Sequence, residues 1–207
     1  EKNEYKTWLR YTWSQIQPGL SPWKLLKASQ IHLMSVIAGE IGLRLQEMLG
    51  LNPEHFTLSE NICLVIKGKG SKGSGYRKRT VPTSPLLNST LRDFLAQFPR
   101  QKESPLLQNP EGQRLGTSTA HQWMDETIQG IQAAGLPIQI EQKGFGWHAF
   151  RRTATRLYLE QSSDILKLMR QRGWAWATTA SHYIGDEKQK RPMSRPPLYI
   201  RSHGHGD

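Results

Sequence analysis

Residues 62–82 read ICLVIK, then GKGSKGSG, then YRKRTVP, and this stretch decides the fold class. Ile62–Lys67 is an apolar, β-branched run. Gly68–Gly75 is a glycine-rich, basic turn. Tyr76–Pro82 is a return strand closed by a proline. Two such runs joined by a glycine-rich turn form a β-hairpin.

Outward from the hairpin the periodicity becomes helical. Upstream, Tyr5, Trp8, Leu9 and Ile16 recur at helical spacing within residues 4–16, and Pro18, Gly19 and Pro22 interrupt them. Residues 24–50 carry two apolar helical stretches. The first holds Ile31, Leu33, Met34, Ile37 and Ala38, and the second Leu43, Leu45, Met48 and Leu49, with Gly50 as a stop. Downstream, Ser84 and Pro85 read as an N-cap and first helical position for a helix reaching about Phe98. A helix capped by Thr117 or Ser118 ends at Gly135. Another starts after Gly146, a third is capped by Ser163 or Asp164 and stops at Gly173, and a short one follows over 178–183. The sum is α+β: a mostly helical domain with one small antiparallel sheet.

The chain has 207 residues and a net charge of +11. That length suits one ordinary domain with a small extension. A basic surface of this size attracts polyanions, nucleic acid foremost; a basic protein with no such partner is the plain alternative. Cys63 is the single cysteine, so an internal disulfide and a CxxC metal site are excluded. Its apolar neighbours make it a buried small hydrophobe. No apolar stretch approaches the length of a membrane span or a signal peptide, so a reducing cytoplasmic compartment is expected. A start at Glu1 suggests a fragment or a processed chain.

Residues 147–152 read WHAFRR. On a helix over 148–158, Phe150, Ala154 and Leu157 share one side, and His148, Arg151, Arg152 and Thr155 the other. The apolar side anchors the helix, so the basic side is expected to face outward or into a cleft. It lies near the helix N-terminus, where free N–H groups favour an anion. Arginine offers a fork for two phosphate oxygens, and histidine a group that moves a proton near neutral pH. His-x-x-Arg alone equally describes a solvated basic face. Arg44 stands out because it sits in an apolar helix start, GLRLQEMLGL, where a charge needs a partner; Glu47 lies one turn on. Lys69 sits between two glycines at the hairpin mouth, and Tyr183 lies in TTASHYIGD.

Taken together, these residues resemble the catalytic domain of the tyrosine recombinases, or phage-type integrases. The first arginine motif is GEIGLRLQEMLGL, with Arg44 and Glu47. The hairpin lysine is in VIKGKGSKG, and the His-x-x-Arg box is His148 and Arg151. LMRQRGW is similar to the family's Leu-Leu-Gly-His turn, with Trp174 where most members carry histidine. Tyr183 follows nine residues later.

The resemblance implies a catalytic domain over 24–190, an N-terminal helix and linker over 1–23, and a C-terminal tail over 191–207 that docks on a neighbouring subunit. It implies a site-specific recombinase that cuts and rejoins double-stranded DNA through a 3′-phosphotyrosine, without metal, ATP or other cofactor, as a tetramer on DNA. It also implies an N-terminal DNA-clamping domain that this chain lacks. Arg44 and Arg151 would hold the phosphate, Tyr183 attack, His148 accept its proton, Lys69 protonate the leaving oxygen, and Trp174 brace the pocket. Glu47 would orient Arg44 or His148. The long basic turn leaves Lys67 or Lys72 as substitutes for Lys69. Lys67, Lys72, Arg77, Lys78, Arg79, Arg152, Arg156 and Arg172 are candidates to lie against phosphates. A type IB topoisomerase and a non-catalytic DNA-binding relic are the competing readings. His203 and His205, in SHGHGD, read as tail residues rather than ligands.

Overall fold

The computed structural model describes residues 2–67, 77–138, 146–162 and 164–173, apart from the side chains of Lys2, Lys67, Arg77 and Gln161. Helix α1 spans Lys2–Ser14, so Ile16 lies beyond its end. Helix α2, Pro22–Glu40, starts on a proline that needs no N–H partner. Glycine at 42, with φ +62°, breaks the path, and α3 follows as a short turn over Leu45–Leu49. Strands β1 (Phe56–Thr57), β2 (Ile62–Lys67) and β3 (Arg77–Pro82) form an antiparallel sheet in that order. The antiparallel pairing of β2 with β3 is as expected, and the turn expected over 68–75 lies outside the described residues. Strand β1 was not foreseen, because two residues carry no periodicity.

Cys63 pairs with Val81 and Val65 with Arg79 across the hairpin. Cys63, Val65 and Val81 are buried, so one face of the sheet enters the core. Burial pushes the Cys63 thiol up to about 12, with the Arg79 charge opposing; it behaves as a small hydrophobe.

Helix α4 covers Pro85–Gln97, and the Ser84 hydroxyl accepts the Leu87 N–H at 3.1 Å, the cap its sequence position suggests. The connection to α5 is pinned to α2. Gln30 donates to the Gln108 carbonyl at 3.0 Å and accepts from the Gln108 N–H at 2.6 Å. Helix α5 runs Thr117–Ala133 with Gly116 at the N-cap, which corrects the expectation of Thr117 or Ser118; the chain turns helical one residue sooner. Helix α6 is Trp147–Gln161, and α7 is Ile165–Arg172. Asp164 caps α7, accepting the Lys167 N–H at 2.8 Å. The helix expected over 178–183 lies outside the described residues.

The core gathers α1, α2, α4, α5 and α6 over the sheet. The Phe150 ring meets Trp8 at 5.1 Å, Trp147 at 5.9 Å and Tyr5 at 6.2 Å between centroids. Polar edges of these aromatics are satisfied. Trp8 Nε1 donates to Ser35 Oγ at 2.8 Å, and Trp147 Nε1 to the Ala120 carbonyl at 2.9 Å. This cluster fixes the start of α6 and so places His148 and Arg151. Among the described residues, no helix is long and apolar enough to cross a membrane.

Candidate active site

Four arginines from distant parts of the chain meet around the turn between α2 and α3. Arg151 on α6 is 1% exposed; it donates to the Gly42 carbonyl at 2.6 Å and to the Arg172 carbonyl at 2.7 Å. Arg172, at the end of α7, is buried and donates to the Ile41 carbonyl. The turn is therefore gripped from two helices. A Cβ on residue 42 would run into the Arg172 guanidinium, so glycine answers both the left-handed backbone and the close approach.

Glu47 is the centre of the cluster. Its carboxylate accepts the Arg44 N–H at 2.9 Å and an Arg44 guanidinium N–H at 3.2 Å. Arg79 closes a two-pronged pair on the same carboxylate at 2.8 and 2.9 Å. Arg151 Nη1 stands 3.9 Å away. Burial alone would push this carboxyl up. The Arg79 and Arg44 hydrogen bonds and charges outweigh it and hold the group down at about 2. Glu47 is thus a fixed anion, and it also caps the first turn of α3.

Arg44 is the most open of the four and half-buried, with 38% of its side chain exposed. It lines a cleft of about 980 Å³ together with Glu47, Ile66 and His148. His148 is exposed. Partial desolvation, then the charges of Arg151, Arg152 and Arg44, lower its pKa below the usual imidazole value. It is therefore neutral at pH 7 and able to accept a proton.

The polar side foreseen for α6 divides in two, which is a correction. His148 and Arg152 are exposed, but Arg151 and Thr155 are buried, because α7 and the Gly42 turn cover that side. Arg151 stands behind Glu47, outside the residues that line the cleft. Arg79 and Arg172 are a second correction. Both were expected to lie against phosphates, yet Arg172 is buried and Arg79 is spent on Glu47 and on the Gln171 carbonyl at 2.7 Å. Lys78, Arg152 and Arg156 are exposed, as a phosphate-facing role requires. Lys69, Lys72, Trp174 and Tyr183 lie outside the described residues, as do the side chains of Lys67 and Arg77.

His55 and His121 also line the cleft, and sequence reasoning passed over both. His55 Nδ1 accepts the Asn52 N–H at 3.0 Å, which leaves Nε2 to carry the proton of the neutral ring. Neither belongs to a spacing pattern, so only the fold could bring them here. Arg79 did leave a signal. Alternation along β3 puts it on the face of Val81, opposite Lys78 and Thr80.

A helical domain with a three-stranded sheet, whose Arg44, Glu47 and Arg151 converge beside a histidine, is the class of protein that the resemblance foretold. The phage integrase family model matches residues 24–190, and the chain belongs to that family, the tyrosine recombinases. Tyrosine recombinase XerC of Brucella suis biovar 1 (strain 1330) is 25% identical over 171 residues, 82% of this chain and 49% of that protein. The chain thus spans about half the length of that curated relative. Its fold is similar to the crystal structure of XerA recombinase, with TM-score 0.68 and 21% identity over 93% of this chain and 63% of the other. The XerH site-specific recombinase bound to difH substrate gives 0.63 and 21%, over 91% of this chain and 50% of that one. A lambda integrase dimer bound to a COC′ core site gives 0.58 and 19%, over 95% and 49%.

Proposed function

We propose that this chain is the catalytic part of a site-specific recombinase that cuts and rejoins duplex DNA through a 3′-phosphotyrosine. The observation that carries the reading is the convergence of Arg44 and Arg151 on Glu47, with neutral His148 in the same cleft wall.

A phosphodiester resists a nucleophile because both are electron-rich, and charge on its non-bridging oxygens grows as attack proceeds. Preorganised guanidiniums stabilise that growth without reorganising at the moment of reaction. Arg44, held by Glu47 but open to the cleft, is the residue that first meets the phosphate. Arg151 reinforces the field from behind. Tyr183 attacks phosphorus through its phenol oxygen. The new phosphorus–oxygen bond forms as the bond to the 5′ oxygen breaks. His148 takes the phenol proton, and Lys69 delivers one to the departing oxygen. The bond energy stays in the phosphotyrosine, so rejoining needs neither ATP nor a metal-bound water. In this reading Trp174 packs the pocket, and Lys67, Lys72, Arg77, Lys78, Arg152 and Arg156 supply phosphate contacts. Duplex DNA and further copies of the chain, four per synapsis, are the partners.

The test is a nicked suicide duplex drawn from DNA flanking the gene, followed by denaturing electrophoresis. The expected result is a protein–DNA adduct that Tyr183→Phe abolishes and that Arg44→Ala slows by about 10²–10³-fold, the cost of one lost transition-state donor. Absence of adduct on every flanking duplex would leave the non-catalytic DNA-binding reading. Relaxation of a plasmid without any recombination site would favour the topoisomerase.

A further inference from the structure

We infer that Arg79 is a positioning residue of this site, a cross-brace that holds β3, the first turn of α3 and the end of α7 in one register. The inference rests on the recombinase reading for its consequence in chemistry, but not for the geometry.

Every nitrogen of the Arg79 guanidinium is committed. Nη1 and Nη2 clasp Glu47 at 2.8 and 2.9 Å, and Nε donates to the Gln171 carbonyl at 2.7 Å. The side chain is 13% exposed, and Arg79 is not among the residues lining the cleft. It therefore does not meet the DNA phosphate itself. It acts through Glu47, whose two oxygens also hold the Arg44 N–H and guanidinium. At the other end of the brace, Gly173 closes α7 with φ +64°, and a Cβ there would stand 3.4 Å from Arg79 Nη1. The bond to Gln171 lies two residues before that turn. One side chain thus ties the strand that returns from the basic hairpin turn to the arginine of the first motif and to the last turn of α7.

Lysine cannot replace it, because a point charge cannot offer a planar fork and a third donor fixed beside it in the same plane. Alternation supplies the geometry: Arg79 lies across from buried Val65 and on the side of buried Val81, so its side chain has only the α3–α7 seam to enter.

The test compares the intact chain with Arg79→Ala, Arg79→Lys and Glu47→Ala, alone and with Arg79→Ala and Glu47→Ala combined. Amide exchange at Arg44 is read first, since it needs no DNA. Loss of the brace is expected to raise it about tenfold in Arg79→Ala, the scale of one charge-assisted hydrogen bond, and less in Arg79→Lys. Suicide-duplex adduct formation is then expected to slow by about 10²-fold at saturating DNA, while the half-saturating concentration stays within about threefold. The double variant is expected to be no slower than the slower single one. Unchanged Arg44 exchange in Arg79→Ala overturns the inference. So does a loss confined to DNA affinity with a shallower salt dependence, which would make Arg79 a phosphate contact. Should the Ala variant not fold, Arg79→Lys decides by the same two readouts. An intact chain that forms no adduct counts against the recombinase reading alone, and the exchange result still decides the brace.

Discussion

Glu47 concentrates the residue-scale physics of this protein. A carboxylate buried among arginines is costly to place and costlier to neutralise, because each partner would be left without its anion. Its folded pKa of about 2 lies below the ordinary 4.5. Between these values the unfolded chain binds the extra proton, so stability is complete above about pH 4.5 and declines as pH falls toward 2. Glu47→Gln is expected to cost about 3 kcal/mol at neutral pH and to flatten that acid limb, as urea titrations at stepped pH would read. His148 gives the second prediction. Its pKa is lowered from the ordinary 6.5, by desolvation first and then by the neighbouring arginines, so the acid limb of the adduct-formation rate is expected to have its midpoint under 6.5. Arg152→Ala removes one of the charges that lower it and is expected to move that midpoint up. An unmoved midpoint would separate Arg152 from the proton acceptor.

Elements begin and end where local chemistry tells them to, and most ends were legible. Ser84 with Pro85 and Asp164 act as the caps their types and positions suggest. Gly173 stops α7 in the left-handed conformation that its sequence position after an amphipathic stretch implies. Helix α5 starts one residue earlier than its sequence suggests, since hydroxyl residues at 117 and 118 resemble caps while glycine at 116 takes the position. Gly42 and Gly173 share a positive φ but differ in surroundings. Gly173→Ala is expected to cost about 1 kcal/mol, from the backbone term. Gly42→Ala is expected to cost clearly more, because the Arg172 guanidinium occupies the space of the new methyl group. Thermal melts of the two variants side by side check the order. Equal losses would mean that Arg172 yields at no cost.

At the scale of the whole molecule the net charge of +11 bears on encounter with a polyanion, DNA in the proposed function, rather than on the fold. Each exposed cation that sits on a phosphate releases counterions, so Lys78→Ala, Arg152→Ala and Arg156→Ala are each expected to lower the slope of log affinity against log salt by about one. Arg172→Ala, being buried, is expected to lower stability and leave the slope unchanged; fluorescence anisotropy over a salt series separates the two. Leu198, Tyr199 and Ile200 make an apolar patch in an otherwise polar tail. If that tail docks on a neighbour, deletion of residues 192–207 weakens assembly on paired sites more than binding to one site. Equal binding and equal assembly in gel-shift titrations would end that idea.

By itself the sequence determined the α+β class, the hairpin, the helix order and the motif residues Arg44, Glu47, His148 and Arg151. The elements follow from periodicity and turn chemistry, which are local along the chain, and the four motif residues were marked by the resemblance to the tyrosine recombinases. Apart from Arg79, which strand alternation already sets on the inner face, tertiary structure decided which cations face the cleft and which serve the protein. Arg79, Arg151 and Arg172 have the same side chain as Arg152 and Arg156, and no short-range pattern on α6 separates Arg151 from Arg152. Packing separates them: α7 and the Gly42 turn close over one side of α6, and a guanidinium trapped there must bond to carbonyls and to Glu47. A buried charge takes its role from the partners that surround it, and those partners arrive from distant segments only once the chain has folded.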